Sequence, residues 1–537
     1  MKKLLLISIL LFSSILLLSS CGLPLKIYNK VAADNTEDET GLRFYLQSDG
    51  TYSAAVSEDN TYKKIEIPST YNGKTVTRVF AYGSFDGFFN DGNDVVEEIY
   101  IPEGVTEIGD YAFNGFKNLK KINIPNGVTS IGKKAFAYCK NLESINLPDS
   151  VTYIGKYAFC ESYILGEVNL GEGIEVIGES AFYNCYSLSN ITTGSNIAFI
   201  GEDAFFHSGL SRIDIKDMSA WCNVYIGDHE DVELLPYVNL FFEGEIIKDL
   251  VIPEGVKHIS NSAFNYCNSI ESVSIPGTVK QDVVPAFKNC YNLKEINVAE
   301  NNTVYESIDG VLYAKDDKIL LLYPNCKQGA SFTVPDGVKS ISQTAFTERV
   351  AFTSITLSDS VAFVESQTFE KIDYLTEITL GKGITSDAID FLFCCKNLMY
   401  VWVSKSNEAY TSINGVLYSK DEQTLVFYPK VITVTSFTVP SHVTSIGEKA
   451  FWGCENLTSI ELPEILSSIN DYAFAYCSSL VSVRIPSSVT SIGRFAFYNC
   501  QSLESVKMTN DTISIGSNAF SECPKLTNFD ILPKDEQ

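Results

Sequence analysis

The chain has 537 residues, 45% of them apolar and only 20% charged, and a formal net charge of −26. As compact globules that length suggests roughly three or four domains, but an internal repeat overrides this, because a stacked array grows in one dimension without splitting into separate cores. So acidic a balance gives no expectation of a basic patch for nucleic acid.

The first residues read as an export signal. Lys2 and Lys3 form a short positive region, Leu4 to Leu18 is an apolar run, and the small residues Ser19 and Ser20 lead into Cys21. The string Leu18-Ser19-Ser20-Cys21 resembles a bacterial lipobox. The resemblance implies that the Cys21 thiol is lipidated and that residues 1–20 are removed as a signal peptide. The alternative is an uncleaved membrane anchor, for which about 18 apolar residues is the lower limit of a span. Either way the remainder lies outside the membrane. Loss of Lys2 and Lys3 with no acid takes the net charge to −28, a surface that avoids acidic headgroups. Residues 21–40, with the run Asp34 to Thr40, read as a flexible tether. Residues 41–66 do not fit the repeat and are expected to cap its first coil.

The solenoid is expected over residues 67–533, with 534–537 as a tail. Phe113, Phe136, Phe159, Phe182 and Phe205 each close an Ala-Phe pair and recur at one constant interval. The same interval separates Phe264 from Phe287, Phe346 from Phe369, and each of Phe451, Phe474, Phe497 and Phe520 from the next. A second ladder, Ile101, Ile124, Leu147, Leu170 and later Val439, Leu462, Ile485, Met508, keeps the same spacing. One unit runs from Ile124 to Asn146. Its L-x-x-I-x segment alternates as a half-buried strand does. Pro125 ends the strand because proline cannot donate to a ladder. Val128-Thr129-Ser130-Ile131 is β-branched and predicts a second short strand. Gly132 is expected to supply a bend with positive φ, and Ala135-Phe136 to open a short helical turn whose ring fills a core layer. A single unit cannot bury its own apolar edge, whereas stacked units can.

The steps from Phe205 to Phe264 and from Phe287 to Phe346 equal one another and exceed the coil interval. The step from Phe369 to Phe451 is longer again by a single coil, with Leu392 at the intermediate register. Three units therefore carry insertions of 36 residues, near 216–249, 302–333 and 405–437. The second and third match one another, from Tyr305 and from Tyr410. Asp309-Gly310 and Asn414-Gly415 are two-residue hairpin signals. With second turns at Asp316-Asp317 and Asp421-Glu422 each predicts a three-strand meander. The first insertion differs and carries Trp221 and Cys222. The expected fold is thus an α/β-type leucine-rich-repeat solenoid, mostly β. It has about 15 stacked coils, counting weaker ones at Phe85 and Leu392, and three β-meander insertions.

The unit I-P-x-x-V-T-x-I-G-x-x-A-F-x-x-C-x-x-L-x-x-I resembles the BspA-like leucine-rich repeat family over about residues 60–532, and the Gly-Val-Leu-Tyr insertions are similar to ones recurring there. The resemblance implies a curved solenoid on a bacterial or parasite surface. Studied relatives of this kind are adhesins that contact host proteins, host cells or other microbes. One scaffold serves many ligands, and no ligand-contacting residue travels with the motif.

Chemistry is sparse. His207, His229, His258 and His442 lie far apart, with no metal-ligand spacing around them. There is no G-x-S-x-G elbow and no phosphate-cradling loop, and a 36-residue insertion is too short for an active site of its own. No enzyme activity, cofactor or nucleic-acid partner is expected. Nine cysteines, from Cys139 to Cys523, stand three residues after the phenylalanine register. They read either as stacked disulfides or as small buried hydrophobes, and a repeat-fixed position favours packing. Thirteen mature cysteines cannot all pair internally. The loop 86–98 gathers Asp86, Asp91, Asp94, Glu97 and Glu98, a weak calcium candidate that misses the EF-hand spacing and reads more simply as a solvated acidic loop.

The outward positions of the strand after each leucine should line a binding face. Most are small or polar, such as Asn123, Asn146, Asn169, Thr356 and Thr379. One coil departs: Met399, Tyr400 and Trp402 are expected to point outward, where Tyr and Trp serve as anchors. The competing expectation is that the third insertion folds over them. Arg484 and Lys507 extend the same register. The function these features indicate is a monomeric, lipid-anchored protein on the outer face of a bacterial membrane that binds a host or microbial protein. Glycan or nutrient capture and a structural envelope role are the alternatives.

Overall fold

The computed structural model describes residues 38–531 apart from 58, 82–91, 228–237, 348–349, 386–388, 433 and 509–511. The export signal, Cys21, most of the tether, Phe85, Asp86, Asp91, His229 and the tail lie outside the described residues. The chain forms two compact units, Met1–Ser211 and Arg212–Gln537.

Unit 1 begins with an antiparallel hairpin of Leu42–Leu46 and Tyr52–Val56. Its second strand pairs in parallel with Lys74–Val79, which starts the stack. From there each coil contributes two short strands. Two-residue strands at Glu107–Ile108, Ser130–Ile131, Tyr153–Ile154, Val176–Ile177 and Phe199–Ile200 build one parallel ladder. The strands after each leucine build other parallel sheets, as Ser144–Asn146 does with Glu167–Asn169. Their central residue is buried and its neighbours are exposed, as alternation predicts.

Between the ladders, phenylalanine rings stack along the core. Phe136 and Phe159 lie 5.2 Å apart with a 2° tilt, and Phe159 and Phe182 5.1 Å apart with a 6° tilt. In unit 2, Phe451, Phe474 and Phe497 stack at 4.9 Å. Each ring is fully buried and touches its counterparts above and below, so the constant sequence interval is a packing requirement repeated coil by coil.

Two local expectations are corrected. Gly132 does not adopt positive φ. A Cβ on it would sit 2.5 Å from the carbonyl carbon of Gly109 and the nitrogen of Asp110, and one on Gly155 2.6 Å from the same atoms of Gly132 and Lys133. Glycine is required because successive coils touch backbone to backbone. Positive φ falls instead two residues either side of the phenylalanine, on Lys134 (53°) and Tyr138 (62°), on Tyr157 (58°) and Glu161 (63°), and on Tyr472 (57°) and Tyr476 (63°). Nor is the Ala-Phe segment generally helical. Short helices occur at Val284–Phe287 and Phe391–Cys394. In the most regular coils the turn alternates its bonds: Ala135 N–H donates back to Gly132 O at 3.3 Å, whereas Lys134, Phe136 and Tyr138 donate to Lys156, Ala158 and Cys160 of the next coil at 3.0, 2.7 and 2.8 Å. Alternating left-handed residues give the turn a third intercoil ladder.

In unit 2 the second and third insertions are three-strand meanders: Tyr305–Ile308, Val311–Ala314, Ile319–Leu322, and Tyr410–Ile413, Val416–Ser419, Thr424–Phe427. Asp309-Gly310 and Asn414-Gly415 turn with both φ positive. The last strand of each meander pairs in parallel with the next coil, at Ser340–Ile341 and Ser445–Ile446, so the insertions are built into the stack. The first insertion is not a meander of this kind. Asp217 caps a helix, Met218–Cys222, by accepting from Ala220 N–H at 2.9 Å, and the buried Trp221 indole donates to Ala263 O at 2.9 Å. A hairpin, Asn239–Phe242 with Glu245–Ile246, follows.

Candidate binding surface

Four parallel strands of unit 2, Ser331–Thr333, Ser354–Thr356, Glu377–Leu380 and Tyr400–Val403, form one sheet. Ile355, Ile378 and Val401 point into the core. Their neighbours make two outward rows: Ser331, Ser354, Glu377, Tyr400, and Thr333, Thr356, Thr379, Trp402. Hydroxyl-bearing rows thus end in two aromatic residues. Tyr400 and Trp402 are 36% and 39% exposed, and their rings lie 5.7 Å apart with a 14° tilt. The Trp402 indole N–H donates to Glu377 Oε2 at 3.2 Å, which fixes the ring against the preceding strand. Met399 is half-buried immediately before the strand.

The third insertion reaches this edge without hiding it. Val401 N–H donates to Gly415 O at 2.9 Å, and a Cβ on Gly415 would lie 2.5 Å from Tyr400 Cδ1. The hairpin tip therefore stands as a wall beside Tyr400. What holds the insertion is Asn407, 1% exposed and buried in hydrogen bonds. Its amide donates to Gly381 O (2.7 Å) and Ile384 O (3.0 Å), and its oxygen accepts from Ala409 (2.9 Å) and Tyr410 (2.8 Å) N–H. Asn302 does the same for the second insertion. Glu377, Asn407 and Gly415 escape a reading of the sequence for binding residues. The usable signals are register, one coil before Tyr400 for Glu377, and the matching Asn302 and Asn407 in the two insertions.

Arg484 and Lys507 occupy neighbouring strands, Ser482–Ile485 and Ser505–Met508, and are directly paired in register. They belong to a different hydrogen-bonded sheet from Tyr400 and Trp402, because the third insertion lies between. Arg484 forms an ion pair with Glu464. Of the acidic-loop candidates, Glu97 lies 2.7 Å from both Lys63 and Lys120, whose ammonium groups hold its carboxyl down to about 2. Asp94 meets Lys117 at 3.2 Å and Glu98 meets Lys121 at 4.0 Å. Among the described residues no group of three or more potential metal ligands occurs, and no helix is long and apolar enough to cross a membrane.

The cysteines from Cys139 to Cys523 carry free thiols. At the repeat-fixed position several thiols have a use beyond volume, donating to the carbonyl of the phenylalanine one coil earlier. Cys139 reaches Phe113 O at 3.3 Å, Cys185 Phe159 O at 3.2 Å, Cys477 Phe451 O at 3.1 Å and Cys500 Phe474 O at 3.2 Å. Where serine stands at this position, Ser162, its hydroxyl makes the same bond to Phe136 O at 3.0 Å. Burial pushes the Cys290 and Cys477 thiols up to about 12, which makes them poor nucleophiles.

Stacked coils with parallel strands after each leucine, a phenylalanine core and an outward strand face define a leucine-rich-repeat solenoid. The family model described as BspA type Leucine rich repeat region matches in six copies over residues 86–211, 238–309, 322–420 and 423–536, and the chain belongs to that family. Solved structures similar to it include a leucine-rich cell surface protein of Faecalibacterium prausnitzii (21% identity, 94% of this chain and 95% of that one, TM-score 0.29). Leucine-rich repeat proteins of Eubacterium ventriosum (21%, 86% and 93%, 0.31) and Bacteroides ovatus (20%, 92% and 94%, 0.28) are also similar. No curated protein matches the chain.

Proposed function

We propose that this is a binding protein of the bacterial cell surface, held by a lipid on Cys21, whose unit 2 sheet face grips a protein partner through Tyr400 and Trp402. The observation that carries the reading is a stacked, exposed Tyr-Trp pair at the end of rows that are otherwise serine, threonine and one glutamate. Large rigid rings bring contact area at low entropic loss and dominate interface energetics. Threonine and serine rows beside them form a polar rim whose hydroxyls can hydrogen-bond a partner. Family membership supports a scaffold role, and the F. prausnitzii relative described as a cell surface protein supports the location. Arg484 and Lys507 add a separate cationic pair of strands in the same unit.

The test uses the mature chain, residues 21–537, presented to purified host extracellular proteins and, in parallel, to a glycan array. The double variant Tyr400→Ala with Trp402→Ala is expected to retain its melting temperature and lose at least tenfold in affinity for the protein captured by the wild type. Equal affinity of the double variant removes the site. Saccharide binding that the double variant loses, without any protein partner, replaces the reading with glycan capture. Radiolabelled palmitate incorporation, abolished by Cys21→Ala, tests the anchor.

A further inference from the structure

Residues 117–156 reverse the sign of the chain, with seven lysines against two acidic residues in a protein of net charge −26. Three of these lysines are held by carboxylates of the preceding coil or loop: Lys117 with Asp94, Lys120 with Glu97 and Lys121 with Glu98. The other four, Lys133, Lys134, Lys140 and Lys156, lie on the turns around the Ala-Phe pairs of unit 1, interleaved with tyrosines. Lys134 Nζ stands 5.9 Å from the ring centre of Tyr111 and 5.6 Å from that of Tyr157. Lys133 is 5.7 Å from Tyr111, Lys156 5.1 Å from Tyr157, and Lys140 5.3 Å from Tyr163. Lys156 also meets Glu179 at 2.5 Å, whereas Lys133 and Lys140 form no ion pair among the described residues.

The presentation is rigid. Tyr111, Lys134 and Tyr157 hold φ of 58°, 53° and 58°, a region that bulky residues rarely occupy. Intercoil bonds impose it: Tyr111 N–H to Lys133 O at 2.8 Å, Lys134 N–H to Lys156 O at 3.0 Å, and Tyr157 N–H to Glu179 O at 2.9 Å. The coil step is near 5.2 Å, read from the Phe136–Phe159 stack, so Lys133, Lys134 and Lys156 form one compact cationic group. Along the stack the same registers carry Asp110 on one side and Glu179, Glu202 and Asp203 on the other, so the positive field spans only two coils.

We propose that this turn face binds the sulfate groups of a sulfated polysaccharide. A lysine drawn to a ring face keeps its remaining N–H donors for an outer anion, and a sulfate offers several acceptor oxygens to three clustered ammonium groups. Tyrosine hydroxyls beside them suit sugar hydroxyls. Single-stranded nucleic acid fits poorly, because ammonium groups take the ring faces that bases would stack on. The site is independent of Tyr400 and Trp402.

The experiment measures binding of the mature chain to heparin, fully desulfated heparin, polygalacturonate and a single-stranded oligonucleotide at low and physiological salt. Heparin binding is expected, weakened more than tenfold by Lys133→Gln/Lys134→Gln/Lys156→Gln and by desulfation, and retained in the corresponding triple arginine variant. Should the glutamine triple variant unfold, the exposed pair Lys133→Gln/Lys140→Gln carries the same comparison. Absence of heparin binding, indifference to the substitutions, or equal binding of polygalacturonate or the oligonucleotide overturns the assignment.

Discussion

Replacing Asn407 by alanine tests how the insertion, and with it the wall beside Tyr400, is held. The asparagine is buried and makes four hydrogen bonds between 2.7 and 3.0 Å, two to carbonyls of the preceding coil and two from amides of its own loop. At about 1 kcal/mol for each lost bond the substitution costs roughly 4 kcal/mol, and about 2 kcal/mol if water enters and satisfies half the groups. The damage is local, because the intercoil bonds of neighbouring coils do not pass through Asn407. Hydrogen exchange is the appropriate assay. The Val401 amide, bonded to Gly415, and the Lys420 amide, bonded to Ala409 O at 2.9 Å, should exchange at least thirtyfold faster. The Phe474 and Phe497 amides should be unchanged. Exchange at Val401 and Lys420 within threefold of the wild type refutes the anchoring argument.

Three other substitutions and conditions probe the coil chemistry. Cys477→Ser keeps a donor for Phe451 O, whereas Cys477→Val loses the donor and adds one methyl group to the core. Valine is expected to be less stable than serine by roughly 1 kcal/mol, and a denaturant series that ranks valine equal or higher rejects the thiol bond as a stabilising contact. Gly155→Ala forces a Cβ to 2.6 Å from the neighbouring backbone and should cost about 3 kcal/mol. Gly104→Ala has open space and only a φ of 97° to accommodate, about 1 kcal/mol, and equal melting shifts contradict the close-approach reading. Finally, Cys290 and Cys477 ionise near 9.0 when unfolded and near 12 when folded. Above pH 9 the unfolded chain has released protons that the folded chain keeps, so stability present below 9 fades as pH rises through 12. Melting temperature should fall between pH 8 and 11, less steeply in Cys290→Ser/Cys477→Ser, and the same slope in both proteins disproves the thiol contribution.

The coil architecture is legible in the sequence because its cause is periodic. Every Phe136-like ring meets its counterpart one coil away, so the packing is written as a spacing. The Asn414-Gly415 turn is equally plain, since a two-residue hairpin with positive φ has few residue choices. What stays hidden depends on which backbone comes near which side chain. Gly132 reads as a bend because the sequence gives no sign that Gly109 lies against it. Cys477 reads as filler because its carbonyl partner belongs to the coil before. Tyr157 gives no hint of left-handed backbone, which neither its size nor its propensity favours. The lysine-tyrosine turn face escapes because net charge averages over the whole chain, whereas a field acts locally. Tyr400 and Trp402 stand out as departures from the repeat, but their separation from the Arg484 sheet follows from how the third insertion threads into the stack.

The intercoil bonds have a mechanical consequence. Phe451, Phe474 and Phe497 each donate to the following coil at 2.7 Å, so within this part of unit 2 the amide bonds point along the stacking direction. Tension applied in that direction loads them end-on and one coil at a time, rather than shearing many together. Such a stack yields by peeling, lengthening in small steps under modest force while the remaining coils stay folded, a useful property for anything tethered at one end and pulled at the other.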